Sequence, residues 1–204
     1  MDLAAERQMR DAAMAWLRDR EANGTTAFSR RDFFSYLGRD IRFMNPQTGI
    51  WKPAGWRGAL SISTVYTPES STRPYEDADI GLDGLGRYKW RGLDPDHADN
   101  RALRAAMDHH LPLIWFLGFA PGRYAAVYPV YLVKEEPSSH QFVVAVGVID
   151  QLGFLDVVYP SADIEVAYTM RETKQRLHQA PFRAAVLDAY TCRCAVCRFG
   201  HADL

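Results

Sequence analysis

Four runs rich in β-branched and aromatic residues constrain this chain more than any other feature: residues 59–66 (ALSISTVY), 113–119 (LIWFLGF), 124–133 and 142–149. Side chains of these types pack well on a pleated, half-buried surface, so the runs predict the strands of one strongly curved sheet. The flanking segments follow a different period. In residues 3–21, Met9, Ala13, Met14, Trp16 and Leu17 recur at helical spacing, and Asn23-Gly24 supplies a stop. Ser29, with Asp32 three residues on, reads as an N-cap ahead of Phe33, Phe34, Tyr36 and Leu37, which predicts a second short helix. Residues 67–99 form a long polar stretch rich in Pro, Gly, Asp, Arg and aromatic residues, followed by a helix over 100–109. Residues 170–190 return to helix, with a break expected at Pro181. The expected class is therefore α+β. An N-terminal helical arm (1–40) leads into a strand-rich domain (41–150), then a linker with helices (151–190) and a short C-terminal piece (191–204).

With 204 residues, 48% of them hydrophobic, the chain can bury one good core with smaller helical accessories. Its net charge of −1 provides no global positive field, so contact with a polyanion would have to come from local basic clusters. No run of 18 or more apolar residues occurs, and the opening MDLAAERQMR is charged where a signal peptide would be apolar. These features predict a cytoplasmic protein with no membrane partner. All the cysteines, Cys192, Cys194 and Cys197, fall after residue 191, which excludes a disulfide framework and raises the question of metal binding. No repeat or low-complexity tract is present.

The chemistry-bearing residues concentrate in 74–92. Pro74-Tyr75-Glu76-Asp77-Ala78-Asp79-Ile80-Gly81, then Asp83-Gly84, then Arg87-Tyr88-Lys89-Trp90-Arg91-Gly92 combine carboxylates, aromatic rings and glycine turns. Such a set can sandwich a flat ring between aromatic faces and accept hydrogen bonds from its edge. Tyr75 with Trp90 or Tyr88 would supply the faces, and Asp79 or Asp77 the acceptor. The plainer alternative is an acidic, turn-rich loop whose aspartates cap turns and whose aromatics pack on the sheet. His109-His110 stands at the end of a predicted helix, where histidine favours the dipole, and reads as structural.

The ordered series Gly49-Ile50-Trp51-Lys52-Pro53, Ala59-Leu60-Ser61-Ile62-Ser63-Thr64, Pro74-Tyr75-Glu76-Asp77, Asp83-Gly84, Tyr88-Lys89-Trp90-Arg91-Gly92 and Asp99-Asn100-Arg101-Ala102-Leu103 resembles the SET- and RING-associated (SRA) domain over residues 43–146. The bacterial SRA-like domains fused to HNH nucleases are the most similar branch. Two places depart from the eukaryotic pattern: Arg73-Pro74 stands where that pattern has Gly-Gly, and Trp90-Arg91-Gly92 where it has Tyr-Thr-Gly. The resemblance implies a curved PUA-like β-barrel that binds duplex DNA containing 5-methylcytosine or a related base. The base would be flipped between two aromatic rings, with an aspartate on its Watson–Crick edge. Here Tyr75, Trp90 and Asp79 would take those roles, with Asp77, Tyr88, Arg91 and Gly92 completing the pocket.

The finger residues Ile50, Trp51 and Lys52, together with Arg57, Arg73, Arg87 and Lys89, would then contact DNA, although surface Arg and Lys also simply solvate loops. Cys194-Ala195-Val196-Cys197 resembles the opening of an HNH module, in which Cys194 and Cys197 form half of a structural zinc site and His201 is a possible third ligand. On this reading the reader domain needs no cofactor and has no catalytic residues of its own. The nuclease histidines are expected beyond Leu204, zinc belongs to the full-length protein, and a homodimer would form through the HNH portion. Two other readings remain open: a metal-dependent nuclease or hydrolase using Asp77, Asp79 and Asp83 with Mg²⁺, and a PUA-like module that reads an unstacked base in RNA.

Overall fold

A computed structural model gives the fold and describes residues 2–29, 32, 42–45, 47–68, 85–147 and 163–190, with the side chains of the last segment described from residue 175. In chain order the elements are α1 (Leu3–Ala22), β1 (Phe28–Ser29), β2 (Ile50–Trp51), β3 (Ser61–Thr64), β4 (Gly86–Lys89), α2 (Ala98–Asp108), β5 (Leu113–Ala120), β6 (Arg123–Glu136), β7 (Gln141–Val146) and α3 (Asp163–Ala189). The class is α+β, as the two periodicities require. The strands form one curled, mixed sheet, a half-barrel, in the order β2-β3-β5-β6-β7-β4, with β1 added alongside β6.

β5 explains how the core is organised. Its side chains alternate between faces: Trp115 and Leu117 pack with Ile62, Val127, Val144 and the α2 residues Leu103 and Ala106. Ile114 and Phe116 pack instead with Phe28, Phe43, Leu60 and the α1 residues Ala13, Met14 and Leu17. Both faces are covered, so the strand reads as an unbroken apolar run rather than an alternating one. β3 and β5 are parallel, which requires a crossover, and α2 supplies its helix. β5 and β6 form a hairpin closed by Pro121-Gly122, with Gly122 at φ 68°. Register shifts at Leu113/Trp115, Gly118/Ala120 and Leu132/Lys134 bend these strands and curl the sheet.

α1 is fixed by a buried ion pair as well as by its apolar stripe. Glu6 and Arg10, one turn apart, are both fully buried. Arg10 donates to Glu6 Oε1 at 2.7 Å and to the carbonyls of Gly58, Ala59 and Pro112 at 3.1, 2.8 and 2.8 Å. Glu6 accepts from the backbone N–H groups of Arg57 and Gly58 at 2.8 and 3.2 Å. Burial works to raise the Glu6 carboxyl, but the Arg10 hydrogen bond and the two backbone donors outweigh it and hold the pKa below its ordinary value. Desolvation shifts Arg10 downward, with Glu6 opposing it.

Several expectations change at this level. The strand over 59–66 is confined to Ser61–Thr64, and the short strands β1, β2 and β4 join the sheet without an extended run of their own. α3 passes through Pro181 without the expected break. A proline inside a helix removes one donor and crowds the preceding turn, but Leu177, Ala180 and Ala184 pack on both sides of it and carry the helix across. Of the expected second helix, Ser29 ends β1, and its N–H and hydroxyl both donate to Asp32 Oδ2, at 2.6 and 2.8 Å. Residues 33–40 lie outside the described residues. No helix among the described residues is long and apolar enough to cross a membrane.

Candidate functional site

β2 and β4 are the two ends of the strand order, yet the curl brings them together. The Tyr88 hydroxyl on β4 donates to the Gly49 carbonyl, adjoining β2, at 2.8 Å, and to Ser63 O at 3.3 Å. A cleft of about 360 Å³ opens at this seam. Ile50, Tyr88, Lys89, Trp90, Arg91 and Gly92, six of the residues singled out from the sequence, line it together with Met44, Asn45, Gln47, Thr48, Gly49, Ser63, Val65 and Tyr124.

Turn chemistry shapes the wall formed by Asn45, Gln47, Thr48 and Gly49. Asn45 Oδ1 accepts from Gln47 N at 2.9 Å, an Asx-turn, and the Thr48 hydroxyl donates to Ile50 O at 2.8 Å. Gly49 is required by close approach: a Cβ there would lie 2.5 Å from the Tyr88 hydroxyl and 2.9 Å from Ser63 O. Its carbonyl also accepts from Ser63 N at 2.7 Å, so it joins β3 and β4 at one atom.

The opposite wall continues from β4. Tyr88 and Trp90, two residues apart on one face of an extended segment, are only 3% and 7% exposed. Tyr88 meets Trp115 edge-on at 6.0 Å. Trp90 packs against the edge of His140 at 5.2 Å, with the Arg104 guanidinium 6.0 Å from its ring. The indole Nε1 of Trp90 is buried without a hydrogen-bond partner. Both rings are therefore core residues that also wall the cleft. Arg104 is itself held by a two-pronged pair with Glu135, at 2.8 and 2.7 Å, and that hydrogen bonding raises its pKa.

Past Trp90 the chain turns outward at Gly92 (φ 64°), and Asn100 of α2 ties this lip down. Fully buried, Asn100 accepts from Arg91 N at 2.8 Å and donates to Arg91 O and Asp94 O at 3.1 and 2.8 Å. Arg91 reaches across to Asp99 at 2.6 Å while remaining 47% exposed. The pair can be redirected at small cost, because exposed ion pairs contribute about 0 to 1 kcal/mol. Lys89, also on the rim, donates to Gln141 Oε1 at 2.8 Å and Ser139 O at 3.3 Å.

The other expected contact residues lie elsewhere. Arg87 projects from the opposite face of β4 and pairs with Glu136 at 3.3 Å. Trp51 is half-buried, with its indole N–H on Arg42 O at 2.6 Å, and Lys52 donates to Trp56 O at 3.1 Å. Arg57 has an exposed side chain, and its backbone N–H is the donor to Glu6 already described. None of these four lines the cleft. Arg73, Tyr75, Asp77, Asp79, Asp83, Cys192, Cys194, Cys197 and His201 lie outside the described residues. Among the described residues no group of three or more His, Cys, Asp or Glu side chains is placed to hold a metal ion.

Sequence reasoning missed the polar wall at Asn45, Gln47 and Thr48. Its signal was available in Asn-Pro-Gln-Thr-Gly (45–49), a cluster of turn-forming residues directly before the finger. No family model matches the sequence, and no curated protein or solved structure matches it either.

Proposed function

We propose that this chain is an SRA-like, PUA-type reader that binds duplex DNA containing 5-methylcytosine or a related modified cytosine and receives the flipped base in the seam cleft. One observation carries the reading. Ile50 of the finger and the 88–92 segment, some forty residues apart in sequence, converge on one cleft whose far wall is polar. Its size falls within the roughly 300 to 1,000 Å³ common for small-ligand sites. An extruded base needs an aromatic or apolar wall and a few fixed polar groups, because flipping costs a few kcal/mol that the pocket must return. On this reading Trp90 supplies the inner wall, Tyr75 the facing ring, and Asp79 or Asp77 the acceptor for the base's amino group.

Phosphate contacts fall to Arg91, released from Asp99, and to Lys52 and Arg57 on the surface beside β2. Such contacts position the protein and carry no sequence information, so the weak overall charge is compatible with a local interface. In a longer protein the reader would direct an HNH nuclease that begins near Cys194 and Cys197, binds zinc through these cysteines and further ligands, and dimerises through that portion. The reader itself would work in the cytoplasm.

Two substitutions test the division of roles. In competition binding at one salt concentration, Asp79→Ala should abolish discrimination between modified and unmodified duplex, whereas Lys52→Ala should weaken both alike. A uniform loss from Asp79→Ala would remove it from the base edge. Preference for single-stranded RNA over modified duplex would move the protein to the RNA-reading class.

A further inference from the structure

Most side-chain donors along the seam cleft are committed within the protein. Tyr88 donates to Gly49 O and Ser63 O, the Thr48 hydroxyl to Ile50 O, Lys89 to Gln141 and Ser139, and Arg91 to Asp99. Trp90 Nε1 has no partner but is buried within the wall, and Gln47 is exposed on a long, flexible side chain. Asn45 differs from all of these. It is half-buried, lines the cleft and is held in one orientation, because its Oδ1 accepts from Gln47 N at 2.9 Å. A backbone N–H can bond only the oxygen branch of a carboxamide, so that contact also settles where the nitrogen branch lies. Asn45 Nδ2 therefore offers its N–H groups from a side chain pinned by its own turn, with no partner among the described residues.

A fixed donor reads a flat ring by requiring an acceptor opposite it. For a flipped cytosine, the Watson–Crick edge runs from the N4 amino donor through the N3 acceptor to the O2 acceptor. Thymine has the same ring faces and the same methyl group as 5-methylcytosine. It differs in carrying O4 in place of the amino group and a proton on N3. Stacking on Trp90 and contact with the apolar wall therefore cannot separate the two bases. N3 can, since an N–H facing it bonds cytosine but meets a second N–H in thymine. A site built to form a hydrogen bond rejects the analogue that leaves its donor unpaired far more strongly than an apolar pocket rejects a change of shape. An ionised carboxylate on the N4 amino group only accepts, so it leaves N3 unanswered.

We propose that Asn45 is the specificity-determining residue of this cleft: its Nδ2 donates to N3 of the flipped base and so selects 5-methylcytosine against thymine. The inference rests on the reader function proposed above and adds to it the base the protein must reject.

Competition binding at one salt concentration, with duplexes identical except for 5-methylcytosine·G, cytosine·G or thymine·G at one position, tests the proposal. A mismatched base is the easier one to extrude, so a pocket sensing only ring and methyl would bind the thymine·G duplex at least as tightly as the methylated one. The unsubstituted chain should instead favour 5-methylcytosine·G over thymine·G by about tenfold or more. Asn45→Asp keeps an acceptor for Gln47 N, and hence the turn, while replacing the donor branch with a second acceptor that suits the thymine N3–H. It should lower the preference for 5-methylcytosine·G over thymine·G by about tenfold or more and raise thymine·G relative to cytosine·G, a gain that misfolding cannot imitate. Asn45→Ser keeps a short acceptor for the turn without the amide donor, and should reduce the preference without creating one for thymine. The proposal is overturned if the unsubstituted chain binds thymine·G as tightly as 5-methylcytosine·G, or if Asn45→Asp leaves the preference unchanged while 5-methylcytosine·G is still bound more tightly than cytosine·G. Equal binding of 5-methylcytosine·G and cytosine·G by the unsubstituted chain overturns the reader function itself, and this inference with it.

Discussion

Replacing Arg10 with methionine should destabilise the protein more than any change on its surface, and the effect should depend on pH in a particular direction. Methionine fills much of the same volume but deletes four hydrogen bonds, to Glu6, Gly58, Ala59 and Pro112. Glu6 is left as a fully buried carboxylate whose remaining partners among the described residues are two backbone N–H groups, and three carbonyls lose the Arg10 donor. Removing one member of a buried ion pair typically costs about 3 to 5 kcal/mol, a large part of the roughly 5 to 15 kcal/mol that holds a domain together. For a chain of this size, that corresponds to a fall in Tm of about 10 °C. In the intact protein the folded Glu6 pKa lies below its ordinary 4.5. Its contribution is therefore fully present above that ordinary value and lost as pH falls from it through the lower folded pKa. In Arg10→Met, burial acts unopposed by the guanidinium, the carboxyl pKa rises, and acidification relieves the buried charge. Urea melts at neutral pH and near pH 4.5 should show a large difference between the two proteins that narrows at the lower pH. Arg10→Met combined with Glu6→Gln should recover part of the loss. A difference under about 1 kcal/mol at neutral pH, or one that does not change with pH, would refute this account of α1 docking.

Three further outcomes follow from the seam. Gly49→Ala drives a methyl group into the Tyr88 hydroxyl and Ser63 O, so it should cost about 1 to 3 kcal/mol in thermal melts and weaken DNA binding by displacing the wall at Asn45, Gln47 and Thr48. Asn100→Leu removes the amide that holds Arg91 and Asp94. It should cost about 1 to 3 kcal/mol and make the lip amides exchange faster with solvent. Trp90→Ala empties a buried site and should destabilise by about 3 to 5 kcal/mol, so Trp90→Phe is the informative variant: it should fold normally and keep most modified-DNA affinity, and a complete loss of affinity in folded protein would contradict the wall assignment.

Periodicity made the main strands and the helices α1 and α2 legible, because each long run carries its own signal. β2 and β4 carried too little, being two and four residues long and held by pairing with β3 and β7. The Glu6–Arg10 pair was partly legible. Continuing the stripe of Leu17, Met14 and Ala13 back by one and two turns lands on Arg10 and Glu6, but their charge reads as a solvated face unless the buried carbonyls of Gly58, Ala59 and Pro112 are known. Ile50 and the 88–92 segment could be named from motifs. Their meeting could not, since it depends on the curl that lets the Tyr88 hydroxyl reach the Gly49 carbonyl. Arg87 shows the same limit: it shares its face of β4 with Lys89, which reaches the cleft, but Arg87 pairs with Glu136 and does not line it.

Equilibrium binding of two duplexes identical except for a methyl group on one cytosine, measured by fluorescence anisotropy at a single salt concentration, tests the central proposal most directly. The seam-cleft reading predicts that the methylated duplex binds more tightly, by about tenfold or more, with a fluorescent base analogue at the target position reporting extrusion only when protein is added. Equal affinities, or tighter methylated binding with the target base still stacked, would contradict it.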